Sequence, residues 1–291
     1  PAFLLDAIPC LRMDRAARNR IGNVFRKART KGLVYAVLLA GNRLVNIVRG
    51  KDLLHPSDLL LLINVVTNSQ SLRSSESWTP ICLPKYTDRG YLYAFVCYLA
   101  EDLCLTLITL DASDFYPLRD CKNKILEGLR KKNSLKDIKQ AMRSQKLLVD
   151  ELETGIPEFR HFLYKSETTS QFIAPVPAPP FASRRAQKQL FRRYQHVHSR
   201  IHDAKWIKRH TVRSGFLTKE MAVVVQIYYE VSENATMLAW VRPGAHGLFT
   251  FAGEFEMYAT FTPLVSKEAA ITACNRALRW IKREEDSLFL P

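Results

Sequence analysis

Three histidines crowd one short stretch, His196, His198 and His202. His198 and His202 stand four apart, a spacing that sets two imidazoles on one helix face, as zinc ligands stand. No cysteine or acid completes a ligand set nearby in sequence, and Arg192, Arg193 and Arg200 add positive charge. We therefore read these histidines as solvated or capping side chains and expect no metal and no cofactor. The motifs that would announce catalysis are missing. The chain has no Walker phosphate loop, no G-x-G-x-x-G after a strand, no G-x-S-x-G and no H-E-x-x-H. Gly244, Gly247 and Gly253 serve as turn glycines in a hairpin tip. The chemistry this sequence can offer is binding, and its reagents are charge and apolar surface.

Two basic tracts carry the charge. Arg12–Lys31 includes Arg15, Arg18, Arg26 and Arg29, with Asp14 as its single acid. Arg184–Arg213 holds ten Lys or Arg, among them Arg184, Arg185, Lys188, Arg192 and Arg193, against Asp203 alone. Such a run is either a solvated helix face or a docking face for an anionic partner. Nucleic acid is not expected. RNA modules stack bases on aromatics of an open sheet, whereas these tracts read as helices and the sheets read as covered. An anionic membrane needs only charge on one face. A third candidate is the loop Gly244–Phe251, whose Leu248, Phe249 and Phe251 would enter lipid, dock on a partner or fold back onto their own domain.

The length of 291 residues and a hydrophobic fraction of 47% allow about two domains of ~100–200 residues each. The net charge of +15 favours an anionic partner and says nothing of fold. The six cysteines form no C-x-x-C pair and fall mostly in apolar segments, as reduced buried thiols of a cytosolic protein would. The longest apolar runs fall well short of the ~20 residues of a membrane span. The chain starts at Pro1 rather than Met, so it reads as a fragment with any targeting segment upstream.

The elements that position these groups come from periodicity. Turn chemistry at Asp88-Arg89-Gly90 and Ala100-Glu101-Asp102 divides 78–110 into three antiparallel strands, Trp78–Pro84, Tyr91–Leu99 and Leu103–Leu110. The second and third barely alternate, so both faces of their sheet must be covered by helices. A basic amphipathic helix over 14–31 and a hairpin across Gly41-Asn42 precede them. So does a helix from Pro56-Ser57-Asp58 that is apolar nearly all round and expected to be buried. Helices over 113–132 and 135–147 follow. Residues 148–158, rich in acids around Gly155 and Pro157, read as a linker. The order then repeats: short strands 160–165 and 171–176, a proline connector, a helix 186–202, a meander 222–230, 237–242 and 254–262, and a helix 266–285. The expected class is α+β. Residues 1–147 and 159–291 would each hold a five-stranded antiparallel sheet flanked by helices on both faces.

LHPSDLLLLINVV (54–66), WTPICLPK (78–85), DLCLTLIT (102–109), GIPEFRHFLYKS (155–166) and LRWIKREEDSLF (278–289) together resemble the Mon-one family. This is the vacuolar and late-endosomal fusion subunit that pairs with Ccz. The resemblance implies three longin domains, of which this chain would be the second and third. It also implies a heterodimer with Ccz that exchanges guanine nucleotide on a late-endosomal Rab GTPase, in endosome maturation, vacuole fusion and autophagy. The exchange surface would lie in the first longin domain, so no catalytic residue is expected here and the chain itself is not an enzyme. The implied location is cytoplasmic, peripheral on late endosomes, multivesicular bodies and vacuoles, with phosphoinositide-rich membrane as the anionic surface. Residues 205–219 and 243–253 depart from the family pattern as insertions. The alternative is a generic longin scaffold or adaptor in trafficking, without an exchange role.

Overall fold

The computed structural model describes residues 1–49, 54–73, 76–87, 90–144, 147–152, 154–203, 226–242 and 254–290. The chain divides into two compact units. The first takes in Asp6–Gln145 and also the C-terminal Asp286–Pro291; the second is essentially Lys146–Glu285. The expected domain 159–291 thus differs from the structure at its end, because Leu290 joins an apolar core of the first unit. The segment read as a linker is packed. Its 3-10 turn Val149–Leu152 buries Leu152, and the Thr154 carbonyl accepts from Arg276 Nη1 at 2.6 Å.

In the first unit, β1 (Leu33–Ala40), β2 (Arg43–Arg49), β3 (Ser77–Ile81), β4 (Leu92–Ala100) and β5 (Leu103–Thr109) form one antiparallel sheet in the order β2-β1-β5-β4-β3. Alternation within β1 explains its unbroken hydrophobicity. Ala36, Leu38 and Ala40 meet one core with Ile21, Val24 and Phe25 of α1 (Arg15–Ala28). Tyr35, Val37 and Leu39 meet the other, with Leu59, Leu62 and Ile63 of α2 (Pro56–Asn68). The first core also takes Leu118, Cys121, Ile125 and Leu129 of α3 (Phe115–Lys131), then Ile138 and Ala141 of α4 (Ser134–Ser144). Each fully buried Val, Leu, Ile or Phe among them stabilises the fold by roughly 1.5–3 kcal/mol.

The second helix departs from expectation. It is not buried all round: Leu61 and Val65 are 41% and 48% exposed, because only one face of a 3.6-residue helix can rest on a sheet. Its N-cap is His55, whose Nδ1 accepts from the Ser57 amide at 3.2 Å. Asp58, fully buried, accepts from the amides of Lys85 and Tyr86 at 3.1 and 2.9 Å and so holds the loop after β3. The next helix has Asp114 rather than Ser113 at its N-cap position.

In the second unit, β6 (Phe159–Ser166), β7 (Gln171–Ile173), β8 (Gln226–Ser232), β9 (Ala235–Arg242) and β10 (Phe255–Phe261) run in the order β7-β6-β10-β9-β8, each pair antiparallel. Tyr258 and Thr260 of β10 meet α5 (Arg184–Ile201) and its cap. The alternate residues Met257, Ala259 and Phe261 are buried on the other side, where α6 (Lys267–Arg283) covers the sheet. The last helix buries Ala270, Ala273, Cys274, Ala277, Trp280 and Ile281. The expected inward residues Ile271 and Leu278 lie at the edge of that face, half-buried, because the small alanines take the centre of the contact.

Candidate functional site

The basic helix α5 begins at Ser183, whose Oγ accepts from the Ala186 amide at 3.2 Å. Leu190, Tyr194, Val197 and Ile201 recur at helical spacing and bury against the sheet, which fixes the opposite faces toward solvent. Arg184, Arg185, Lys188 and Arg192 are exposed, and Arg193 is half-buried. Among the described residues no carboxylate pairs with any of these five. A cavity of about 510 Å³ beside the helix is lined by Pro180, Phe181, Gln189, Arg192, Arg193 and Asn234. Two guanidinium groups, a side-chain amide and the hairpin turn at Asn234 thus converge on one concave surface, an arrangement suited to an anionic group.

The first basic tract is organised differently. Arg18 is not a surface charge. It is 5% exposed, and its Nη2 donates to the carbonyls of Leu11 and Ser287, each at 3.0 Å. It sits on the core side of α1, one turn before Ile21, so it is removed from any membrane-facing set. Arg15 pairs with Asp286 at 2.5 Å and Arg20 with Asp137 at 2.7 Å. Arg26 donates to Asn23 Oδ1, and Arg29 is the exposed C-cap. Acids from distant segments therefore neutralise part of this tract, whereas the α5 face keeps its charge. Leu248, Phe249 and Phe251, the whole insertion 243–253 and the insertion 205–219 lie outside the described residues.

The histidines separate. His196 faces Glu230 at 3.4 Å, while His198 and His202 meet in a tilted pair with ring centroids 4.4 Å apart. The absence of a nearby acid in sequence is corrected by the fold, because Glu256 of β10 lies beside them. Its Oε2 is 3.6 Å from His202 Nε2. Ligand atoms of His198, His202 and Glu256 all fall within 4.8 Å of one another. Tyr258 Oη donates to Glu256 Oε2 at 2.7 Å, and Lys165, opposite Glu256 in the β6–β10 register, approaches its Oε1 at 3.7 Å and Glu167 at 2.9 Å. Burial, then the hydrogen bond with Glu256, pushes the Glu167 carboxyl up to about 7. Burial works against ionised Glu256, but hydrogen bonds from His202, Glu167 and Tyr258 and the charge of Lys165 hold it below the usual carboxylate range. The signal for this cluster was present: Glu256 is the one acid in a central strand whose seven residues are all buried. Such a charge needs a partner.

Comparison with known proteins decides the family. Residues 31–127 match the model described as the second longin domain of FUZ, MON1 and HPS1, and residues 158–285 match that of the third. The chain belongs to the MON1 family of longin proteins. Its two units are longin domains, each match falling inside one of them. It is 38% identical over 293 residues to Protein SAND of Takifugu rubripes, covering 100% of this chain and 51% of that protein. To the vacuolar fusion protein MON1 homolog A of Homo sapiens it is 38% identical, covering 100% of this chain and 40% of the relative. To the vacuolar fusion protein MON1 of Cryptococcus neoformans the identity is 31%, with 99% and 43% covered. The chain thus spans about half the length, or less, of the curated relatives it matches. Among the described residues no helix is long and apolar enough to cross a membrane.

Proposed function

We propose that this chain works in vacuolar and late-endosomal membrane trafficking, as the assembly and membrane-docking part of a Mon–Ccz guanine-nucleotide exchange factor for a late-endosomal Rab GTPase. Relatives named vacuolar fusion proteins support the setting. The observation that carries the docking role is the α5 face: a row of exposed cations with no carboxylate partner among the described residues, on a helix whose apolar side is already committed to its own sheet. Three or four such groups reaching an anionic leaflet contribute ~1 kcal/mol each, ~3–4 kcal/mol in all. That is enough for weak recruitment which other contacts reinforce, and it fades as salt shortens the screening length to ~3 Å at 1 M. Phosphoinositides are the favoured lipids in this reading, since Arg192 and Arg193 line one concavity and paired guanidinium groups suit phosphate.

The reading is tested by sedimenting the Ccz-bound complex with phosphatidylserine and phosphoinositide liposomes. Changing Arg184, Arg185, Lys188 and Arg192 to Glu together is expected to abolish most of the binding. Changing Arg15, Arg26 and Arg29 is expected to weaken it far less. Binding unchanged in both sets refutes the docking role, and failure to co-purify with Ccz leaves a trafficking scaffold without an exchange role. Exchange belongs to the first longin domain in this reading, so residues 1–291 alone are expected not to speed nucleotide release from the cognate Rab.

A further inference from the structure

We propose that His198, His202 and Glu256 form a binding site for a divalent transition-metal ion of the zinc class. The spacing of the two histidines brings their rings side by side, centroids 4.4 Å apart and tilted by 46°, at the C-terminal turn of α5. The fold then supplies from a separate strand the carboxylate that the local sequence lacks. Two imidazoles and one carboxylate are a set that zinc accepts, with a fourth position left for water. Metal–ligand bonds of about 2.0–2.2 Å place tetrahedral ligand atoms roughly 3.5 Å apart. His202 Nε2 and Glu256 Oε2 already stand at 3.6 Å, and the full set lies within 4.8 Å. Closure therefore requires only small side-chain rotations, in which His202, the most exposed of the three, exchanges the 3.2 Å contact of its Nε2 with the Tyr258 hydroxyl for the ion.

The surroundings resemble a metal site in a second respect. Ligating carboxylates are normally oriented by further hydrogen bonds. Glu256 is held by the Tyr258 hydroxyl and flanked by Lys165, both on strands of the same sheet. Lys165 is turned toward Glu167, 2.9 Å away, and stands farther, at 3.7 Å, from Glu256. Arg200, two residues from His198, falls on the far side of the helix and is exposed. The nitrogen-rich set disfavours magnesium and calcium, which take oxygen ligands, and favours zinc, cobalt or nickel. A bound ion would pin the last turn of the basic helix to the central strand β10, fixing the element that carries the exposed cations. The site stands whether or not that helix meets a membrane.

The test uses the whole chain stripped with a chelator and titrated with zinc chloride by calorimetry. Cobalt chloride is titrated in parallel, and the visible absorption of tetrahedral cobalt is recorded. We expect one equivalent bound, with a melting temperature that rises with zinc. His198→Ala and His202→Ala change half-buried or exposed side chains, so folding is expected to survive, and circular dichroism checks it. Each is expected to weaken binding by at least about 100-fold, the upper end of what loss of an orienting partner alone costs. Cys82→Ser removes the exposed cysteine among the described residues and is expected to change nothing. The proposal is overturned by a wild-type chain that binds no equivalent, by binding that survives both histidine substitutions, or by binding lost with Cys82.

Discussion

The His161 imidazole makes stability depend on pH in a way that can be worked from its surroundings. It is 4% exposed, on β6, with Nδ1 2.8 Å from the Tyr194 hydroxyl. That hydroxyl also receives a hydrogen bond from Thr260 Oγ1, so the ring sits in a fully buried polar contact. Burial lowers the pKa from 6.5 to about 4, against a backbone hydrogen bond to Pro175 that works the other way. The folded ring thus refuses a proton that the unfolded chain accepts below pH 6.5. The unfolded state binds more protons between 6.5 and 4, so stability is complete above 6.5 and falls as the pH drops through that window. At pH 4.5 the loss from this one group is about 2.5 kcal/mol, since each tenfold difference in proton affinity is worth about 1.36 kcal/mol. Other groups titrate there too, so the quantity to measure is a difference. Urea unfolding of wild type and His161→Gln at pH 7 and 4.5 should show wild type losing about 2–3 kcal/mol more than the variant across the interval. The ring resonances of His161 should not titrate between pH 7 and 5. Equal losses in the two proteins, or a ring titrating near 6.5, would refute the argument.

Two further substitutions probe the first unit. Asp58→Ala strips the buried carboxylate from the Lys85 and Tyr86 amides and should cost roughly 1–3 kcal/mol in chemical denaturation, since two part-buried donors lose a charged acceptor. Gly128→Ala would set a Cβ 2.6 Å from Val24 Cγ1, where α3 crosses α1. Overpacking of about 1–3 kcal/mol outweighs a helix-propensity gain of at most about 1. Thermal unfolding should show a loss in the single variant that Val24→Ala relieves in the double.

Apolar periodicity carried most of the architecture. The flat hydrophobicity of β4 and β5 announced a sheet covered on both faces, and strand ends moved by only a few residues. Polar residues were harder, because a sequence pattern reports a charge and not its partner. Arg15 and Arg20 looked as free as Arg184, yet their acids come from 271 and 117 residues away. Arg18 occupies an inward helical position that the apolar count passed over because the residue is charged. Glu256 and the histidines of α5 meet only because β10 lies beneath that helix, a relation no local spacing encodes.

The return of residues 286–290 to the first unit bears on how the chain comes off the ribosome. Met13 donates its amide to the Ser287 carbonyl at 3.1 Å, Arg18 donates to the same oxygen, and Leu290 completes an apolar core built almost entirely from residues before 110. Domains usually fold N-terminal first during synthesis, at about 5–20 residues per second. Here the earlier domain must wait, roughly ten to thirty seconds on those rates, for a segment translated after the later domain is complete. During that interval the buried guanidinium of Arg18 lacks one of its two acceptors, and the apolar core lacks Leu290. Removing the last few residues would therefore damage the domain farthest from them in the chain.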